Sequence, residues 1–163
     1  MSFEILSAYD MQNEVLELFG EYTDYLVEND KKFAHYLEIQ NYDDELKDLT
    51  VKYGKPFGSL YIAKEDGKLV GCVAMKKHDG DENTGELKRL YVRPEFRGRG
   101  YARKLSEKIL EDAVSVGYDK LYLDTLPFLT AAQKLYGSMG FEVCEPYNED
   151  PMGCSIFMCK ELK

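Results

Sequence analysis

The chain has 163 residues, 44% of them hydrophobic, with a mean hydropathy of −0.45 and a formal charge of −9. That length suits one domain over residues 1–163 with a single core, and the composition is that of a soluble globular protein. The acidity argues against broad nucleic-acid binding, and no apolar run approaches the roughly 18 residues of a membrane span.

In chain order, "FEILSA" reads as a short strand. Val15, Leu18, Phe19, Tyr22 and Leu26 then recur at helical spacing. "NYDDELKDL" is a further short helix or turn before the breaker-rich "YGKPFGS". "SLYIAKEDGKLVGCVAMKKH" is a hairpin turning at Asp66-Gly67, and "GELKRLYVRP" is a strand closed by Pro94. A helix follows with Ala102, Leu105, Ile109, Ala113 and Val116 on one face, then a strand in "DKLYLDTL". Thr130-x-x-Gln133 has the spacing of a capping box opening a helix with Ala132, Leu135, Tyr136 and Met139. "GFEVCEPY" and "CSIFMCKEL" close the chain as strands. The fold class is α/β: a mixed sheet with helices on its faces.

Charge is unevenly placed. Residues 1–50 hold thirteen acidic residues against three lysines, whereas all five arginines lie in "RLYVRPEFRGRGYAR". There a strand ends at Pro94 and a helix begins near Gly98 or Gly100. A helix N-terminus offers unpaired N–H groups and partial positive charge, glycine permits close backbone approach, and arginine adds a fork matched to phosphate oxygens. The stretch therefore suits a phosphorylated ligand. A Walker loop is absent, and Gly98-x-Gly100-x-x-Arg103 lacks the third glycine of a dinucleotide fingerprint. Cys72, Cys144, Cys154 and Cys159 form no CxxC pair, so free cysteines and no metal are expected. "MSFEILSAYD" lacks the basic-then-apolar pattern of a secretory leader, and a cytoplasmic location is expected.

Arg97-Gly98-Arg99-Gly100-Tyr101-Ala102 fits [Q/R]-x-x-G-x-[G/A] and is followed, after a helix and a strand, by "AAQKLYGSMGFEV". From about Ser59 to Lys160, and most specifically from Glu86 to Phe141, this resembles the Gcn5-related N-acetyltransferase (GNAT) superfamily. The resemblance implies a mostly antiparallel sheet of about seven strands flanked by helices, and transfer of an acetyl group from acetyl-CoA to a primary amine. The amine could belong to a small molecule, a peptide or a protein lysine. It implies that main-chain N–H groups from Gly98 through Arg103, including Arg99, Gly100, Tyr101 and Ala102, cradle the pyrophosphate, with Arg97 leading the motif. The pantetheine arm would pair with Leu90, Tyr91 and Val92, and an N–H near Leu90 would polarise the thioester carbonyl. Glu86, eleven residues before Arg97, stands where some members carry the general base; an amine of pKa near 10.4 needs one at neutral pH. Read alone, Glu86 is equally a surface glutamate at a strand end. Tyr136 matches the tyrosine of "LYxxxGF" and would meet the departing CoA sulfur; read alone, it is a core tyrosine. Where many relatives carry asparagine, seven residues before this tyrosine, the chain has Leu129, so Thr125, Thr130 or backbone would substitute.

The family's acceptor surface falls on the acidic N-terminal helices, with Tyr22, Tyr25, Glu28 and Tyr36, and on the loop with Tyr147, Asn148 and Asp150. Acid with tyrosine suits a cationic amine. The resemblance also allows a homodimer. Nucleic acid and membrane are not expected partners. A non-catalytic acyl-CoA-binding regulatory module on the same fold is the alternative function.

Overall fold

A computed structural model describes residues 2–39, 42–80, 83–148 and 155–163. Seven strands make one sheet: β1 (Phe3–Ser7), β2 (Ser59–Glu65), β3 (Lys68–Lys77), β4 (Thr84–Val92), β5 (Lys120–Thr125), β6 (Glu142–Val143) and β7 (Ile156–Glu161), in spatial order β1-β2-β3-β4-β5-β7-β6. Only β4 and β5 pair in parallel; every other neighbouring pair is antiparallel. The expected mixed, mostly antiparallel sheet flanked by helices is present. The β2–β3 turn places Asp66 and Gly67 both at positive φ, 51° and 81°, as a two-residue hairpin turn matched to strand twist requires.

Six helices cover the sheet: α1 (Gln12–Asn29), α2 (Phe33–Ile39), α3 (Tyr42–Lys47), α4 (Leu49–Tyr53), α5 (Tyr101–Val116) and α6 (Thr130–Ser138). On one face Leu105, Ile109 and Ala113 of α5 meet Val73, Met75, Leu87, Leu121 and Leu123 of the strands. On the other, Val15, Leu18 and Phe19 of α1 and Tyr53 of α4 meet Leu60, Ile62, Cys72 and Ala74. A smaller third cluster joins Leu26, Phe33 and Leu37 to Leu126, just past β5.

The short helix or turn expected at "NYDDELKDL" is α3, with the short helices α2 before it and α4 after it in addition. Two expectations are corrected. The capping box does not form: Thr130 already lies inside α6, and Gln133 Nε2 donates to the carbonyls of Leu126 (3.0 Å) and Pro127 (3.2 Å). Gln133 thereby holds the β5–α6 loop instead of an N–H of its own helix. The strand read from "GFEVCEPY" shrinks to Glu142–Val143, both exposed, because β6 is a sheet edge paired only to β7.

No helix is long and apolar enough to cross a membrane, and no cluster of three or more His, Cys, Asp or Glu is placed to hold a metal, both among the described residues. Cys72, Cys144 and Cys159 form no disulfide; Cys154 lies outside the described residues.

Candidate active site

The centre of the molecule is where β4 leaves β5. Their parallel register runs only from Thr84↔Lys120 to Glu86↔Tyr122. Beyond Glu86 a bulge bends β4: Ala74 faces Lys88 and Cys72 faces Tyr91, so Val73 stands opposite both Arg89 and Leu90, and Arg89 takes φ of 59°. The bulge turns the strand away from β5 and opens a cleft.

That cleft has a volume of about 500 Å³. Its walls include Leu90, Tyr91 and Val92 of β4, the loop Arg97, Gly98 and Gly100, the first turn of α5 (Tyr101, Ala102, Arg103), and Asp124, Thr125, Leu129 and Tyr136 across from them. Gly98 and Gly100 hold φ of 79° and 82°, where a side chain is strained. A Cβ at either would meet nothing within 4 Å, so the glycines line open space. Gly100 is the N-cap of α5 and supplies no side-chain cap, which leaves the first N–H groups of α5 available to a ligand. The Thr125 Oγ1 is buried without a hydrogen-bond partner. Leu129 stands in the wall, as its position relative to Tyr136 suggested.

Of the expected site residues, all but two line this cleft. Arg99 points elsewhere and pairs with Glu65 at 2.7 Å. Glu86 is absent from its walls; it is buried on β4, with Oε2 at 3.0 Å from His78 Nδ1 and 3.6 Å from Lys76 Nζ. Tyr101 contributes its backbone turn, while its ring stacks on Phe3 at 4.1 Å and its hydroxyl donates to Glu65.

The arginines therefore divide. Arg97 and Arg103 stay at the cleft: Arg97 Nε donates to the Val92 carbonyl at 2.9 Å, and Arg103 donates to the Ser138 hydroxyl. Arg93 grips Glu21 and Glu17 of α1 at 2.7 and 2.8 Å. Arg89 makes a fork to Glu45 of α3, at 3.1 and 2.9 Å, with Lys52 on the same carboxylate at 2.8 Å. Burial pushes the Glu45 carboxyl up, but Arg89 and Lys52 outweigh it and bring its pKa to about 2.

A second, small cavity of about 50 Å³ continues from the cleft, sharing Tyr22, Leu90, Asp124, Thr125, Leu129 and Tyr136 with it. Its far side is Leu26, Phe33, Lys88 and Arg89. Lys88 and Asp124 were not among the expected site residues. The signal for Lys88 was in the sequence: "ELKR" sets three charges within a strand that is otherwise apolar. Of the expected acceptor residues, Tyr22 and Tyr25 line the cleft. Glu28 lines a separate hollow with Asp24, Asp43 and Asp44, and Tyr147 stacks on Tyr122 at 4.5 Å. Asp150 and the Tyr36 side chain lie outside the described residues.

The family model for the "Acetyltransferase (GNAT) family" matches residues 14–141. The chain belongs to that family. Among curated relatives, an uncharacterized N-acetyltransferase of Schizosaccharomyces pombe is 39% identical over 133 residues, 81% of each chain. Human N-acetylaspartate synthetase is 44% identical over 112 residues, 68% of this chain but 36% of that relative's length. Among solved structures, the PaiA N-acetyltransferase of Thermoplasma acidophilum, determined in complex with coenzyme A, superposes with a TM-score of 0.73 at 19% identity, over 99% of both chains. That likeness establishes the GNAT fold.

Proposed function

We propose that this GNAT domain transfers the acetyl group of acetyl-CoA to a primary amine of a small molecule, by direct attack in a ternary complex. The observation that carries this reading is the cleft between β4 and β5, walled by the left-handed glycine loop, the uncapped start of α5 and Tyr136, with the small cavity sharing part of its lining. The coenzyme A seen in the Thermoplasma neighbour supports the donor. The names of the fungal and human relatives support an amine acceptor. A cavity of about 50 Å³ favours a small amine over a peptide or protein lysine.

The N–H groups of the first turn of α5 would hold the pyrophosphate, helped by Arg97 and Arg103. The edge of β4 from Leu90 to Val92 would pair with the pantetheine arm, and the Leu90 N–H would bind the oxygen of the tetrahedral intermediate. Thr125 Oγ1 would take the contact that Leu129 cannot make. The amine nitrogen bonds to the thioester carbon, the C–S bond breaks, and the amine gives up a proton. Glu86 lies on β4 two residues before Lys88, outside the walls of both cavities, so as the base it would act through water. Tyr136 would donate a hydrogen bond to the departing thiolate.

Leu129 in the cleft favours a second reading, a CoA-binding module without turnover. Acetyl-CoA affinity by calorimetry, together with thiol release across a panel of amines, decides between them. The transferase reading expects release of CoA with at least one amine, lost most near neutral pH in Glu86→Gln. Binding of acetyl-CoA with no release for any amine establishes the second reading instead.

A further inference from the structure

We propose that the acceptor is a small amino acid, with its carboxylate held by Lys88 and its amino group on the Asp124 side of the small cavity. This rests on the acetyltransferase reading and names its substrate class.

Lys88 is 8% exposed and lines the small cavity, and its ammonium has no ion-pair or hydrogen-bond partner among the described residues. A cation that faces a cavity without a protein partner gains from meeting an anion when a ligand fills the site and displaces water. Two buried carboxylates, Glu45 and Glu86, are already engaged, and Asp124 makes an interaction of its own. Glu45 Oε1 receives Lys52 at 2.8 Å and Arg89 Nη2 at 2.9 Å, while its Oε2 receives Arg89 Nε at 3.1 Å and the Tyr53 hydroxyl at 2.9 Å. Glu86 Oε2 is taken by His78 and Lys76. Arg89, although in the same wall, is already paired with Glu45.

Placement gives the polarity. Glu86 and Tyr122 are the last paired residues of β4 and β5. Lys88 and Asp124 come two residues later on their strands, so they keep the same face of the pleat as the strands part. Both line the small cavity, and Asp124 also lines the cleft together with Tyr136. A cavity lined by both a cation and an anion matches a molecule bearing a carboxylate and an ammonium. It also turns the amine toward the end of the cleft where the thioester would lie. The expectation of a cationic acceptor rested on the acidic N-terminal segment. Glu17, Glu21 and Glu45 of that segment are instead bound to Arg93 and Arg89, and Asp24 and Glu28 line a different hollow.

The test is thiol release from acetyl-CoA with free amino acids and with the matched carboxamides, which keep the amine and lose the negative charge. Wild-type protein should prefer an acid over its carboxamide by roughly ten- to a hundredfold in kcat/KM, the range for one charged hydrogen bond. Lys88→Met should bring that ratio near one, and Lys88→Arg should keep a preference for the acid. Acetyl-CoA affinity in the same variants reports that the fold and the donor site persist. Equal use of acid and carboxamide by wild-type protein, or an unchanged ratio in Lys88→Met, overturns the proposal while leaving the transferase reading intact. If no amine is acetylated, calorimetry with free amino acids on the CoA-saturated protein carries the test. Binding abolished in Lys88→Met supports the carboxylate site although transfer fails, and no binding by any amino acid overturns it.

Discussion

Tyr136 resists ionisation. Burial, then the nearby Tyr22 and Asp124, push its phenol well above the usual value near 10. In the proposed role, a group so reluctant to ionise would donate a hydrogen bond to the departing thiolate without handing over the proton outright, and that bond would strengthen as charge develops on sulfur. The ring meets Phe141 edge-on at 5.8 Å, a contact that phenylalanine preserves. Tyr136→Phe should therefore keep its thermal stability and its acetyl-CoA affinity, while kcat falls about ten- to a hundredfold, equivalent to roughly 1.5–3 kcal/mol. No basic limb in the pH–rate profile should trace to this tyrosine. Full kcat in the folded variant would reject the proton-donor role.

At the scale of elements, sequence patterning was most legible where one period dominates. The α1 and α5 faces and the β2–β3 hairpin stand where the spacing of Val15, Leu18 and Phe19, of Leu105, Ile109 and Ala113, and of Asp66-Gly67 placed them. Tertiary pairing decided what patterning could not. Thr130-x-x-Gln133 has capping-box spacing, but the open carbonyls of Leu126 and Pro127 compete successfully for Gln133. Five clustered arginines suggested a phosphate site as a group, yet β4 alternation and its bulge send Arg89 and Arg93 to carboxylates more than 40 residues away in sequence. The helix start at Gly100 survives this division because it depends on backbone φ and needs no side-chain partner. Gly117 provides a control: it caps the other end of α5 at φ 95°, also with nothing within 4 Å of an added Cβ, and it is absent from the cleft walls. Gly100→Ala and Gly117→Ala should each lower stability by about 1–2 kcal/mol, the strain of a left-handed alanine. Only Gly100→Ala should also weaken acetyl-CoA binding, by tenfold or more in calorimetry. Equal affinities in the two variants would remove the glycine loop from the donor site.

Over the whole molecule, the charge asymmetry of the sequence becomes a way of attaching the N-terminal helices to the sheet. Arg93 ties α1 to β4 and Arg89 ties α3 to β4, so residues far apart in sequence close over the strand that opens the cleft. Burying the Arg89–Glu45 pair gives geometry more than stability, because desolvation offsets much of the attraction. Besides the packing of α1 and α4 on the sheet face, a further attachment is the third hydrophobic cluster, where Leu26 of α1 and Phe33 of α2 meet Leu126 beyond β5. It is separate from the two large clusters on the sheet faces, and Leu26 and Phe33 also wall the small cavity. A small cluster at the edge of a domain opens at a lower free energy than the central sheet. Phe33→Ala removes much of its apolar volume, a change that costs about 3–5 kcal/mol in a closed core. Here the loss should fall mainly on local opening. Hydrogen exchange should accelerate in α2 and in residues 126–129 while β2, β3 and β4 stay protected, and the main unfolding transition should move little. Function should follow the same boundary: acceptor KM rises because the cavity wall is loosened, and acetyl-CoA affinity holds because the glycine loop and α5 are untouched. Exchange rising equally across the sheet would show that this cluster belongs to the main core and that the acceptor cavity has no roof of its own.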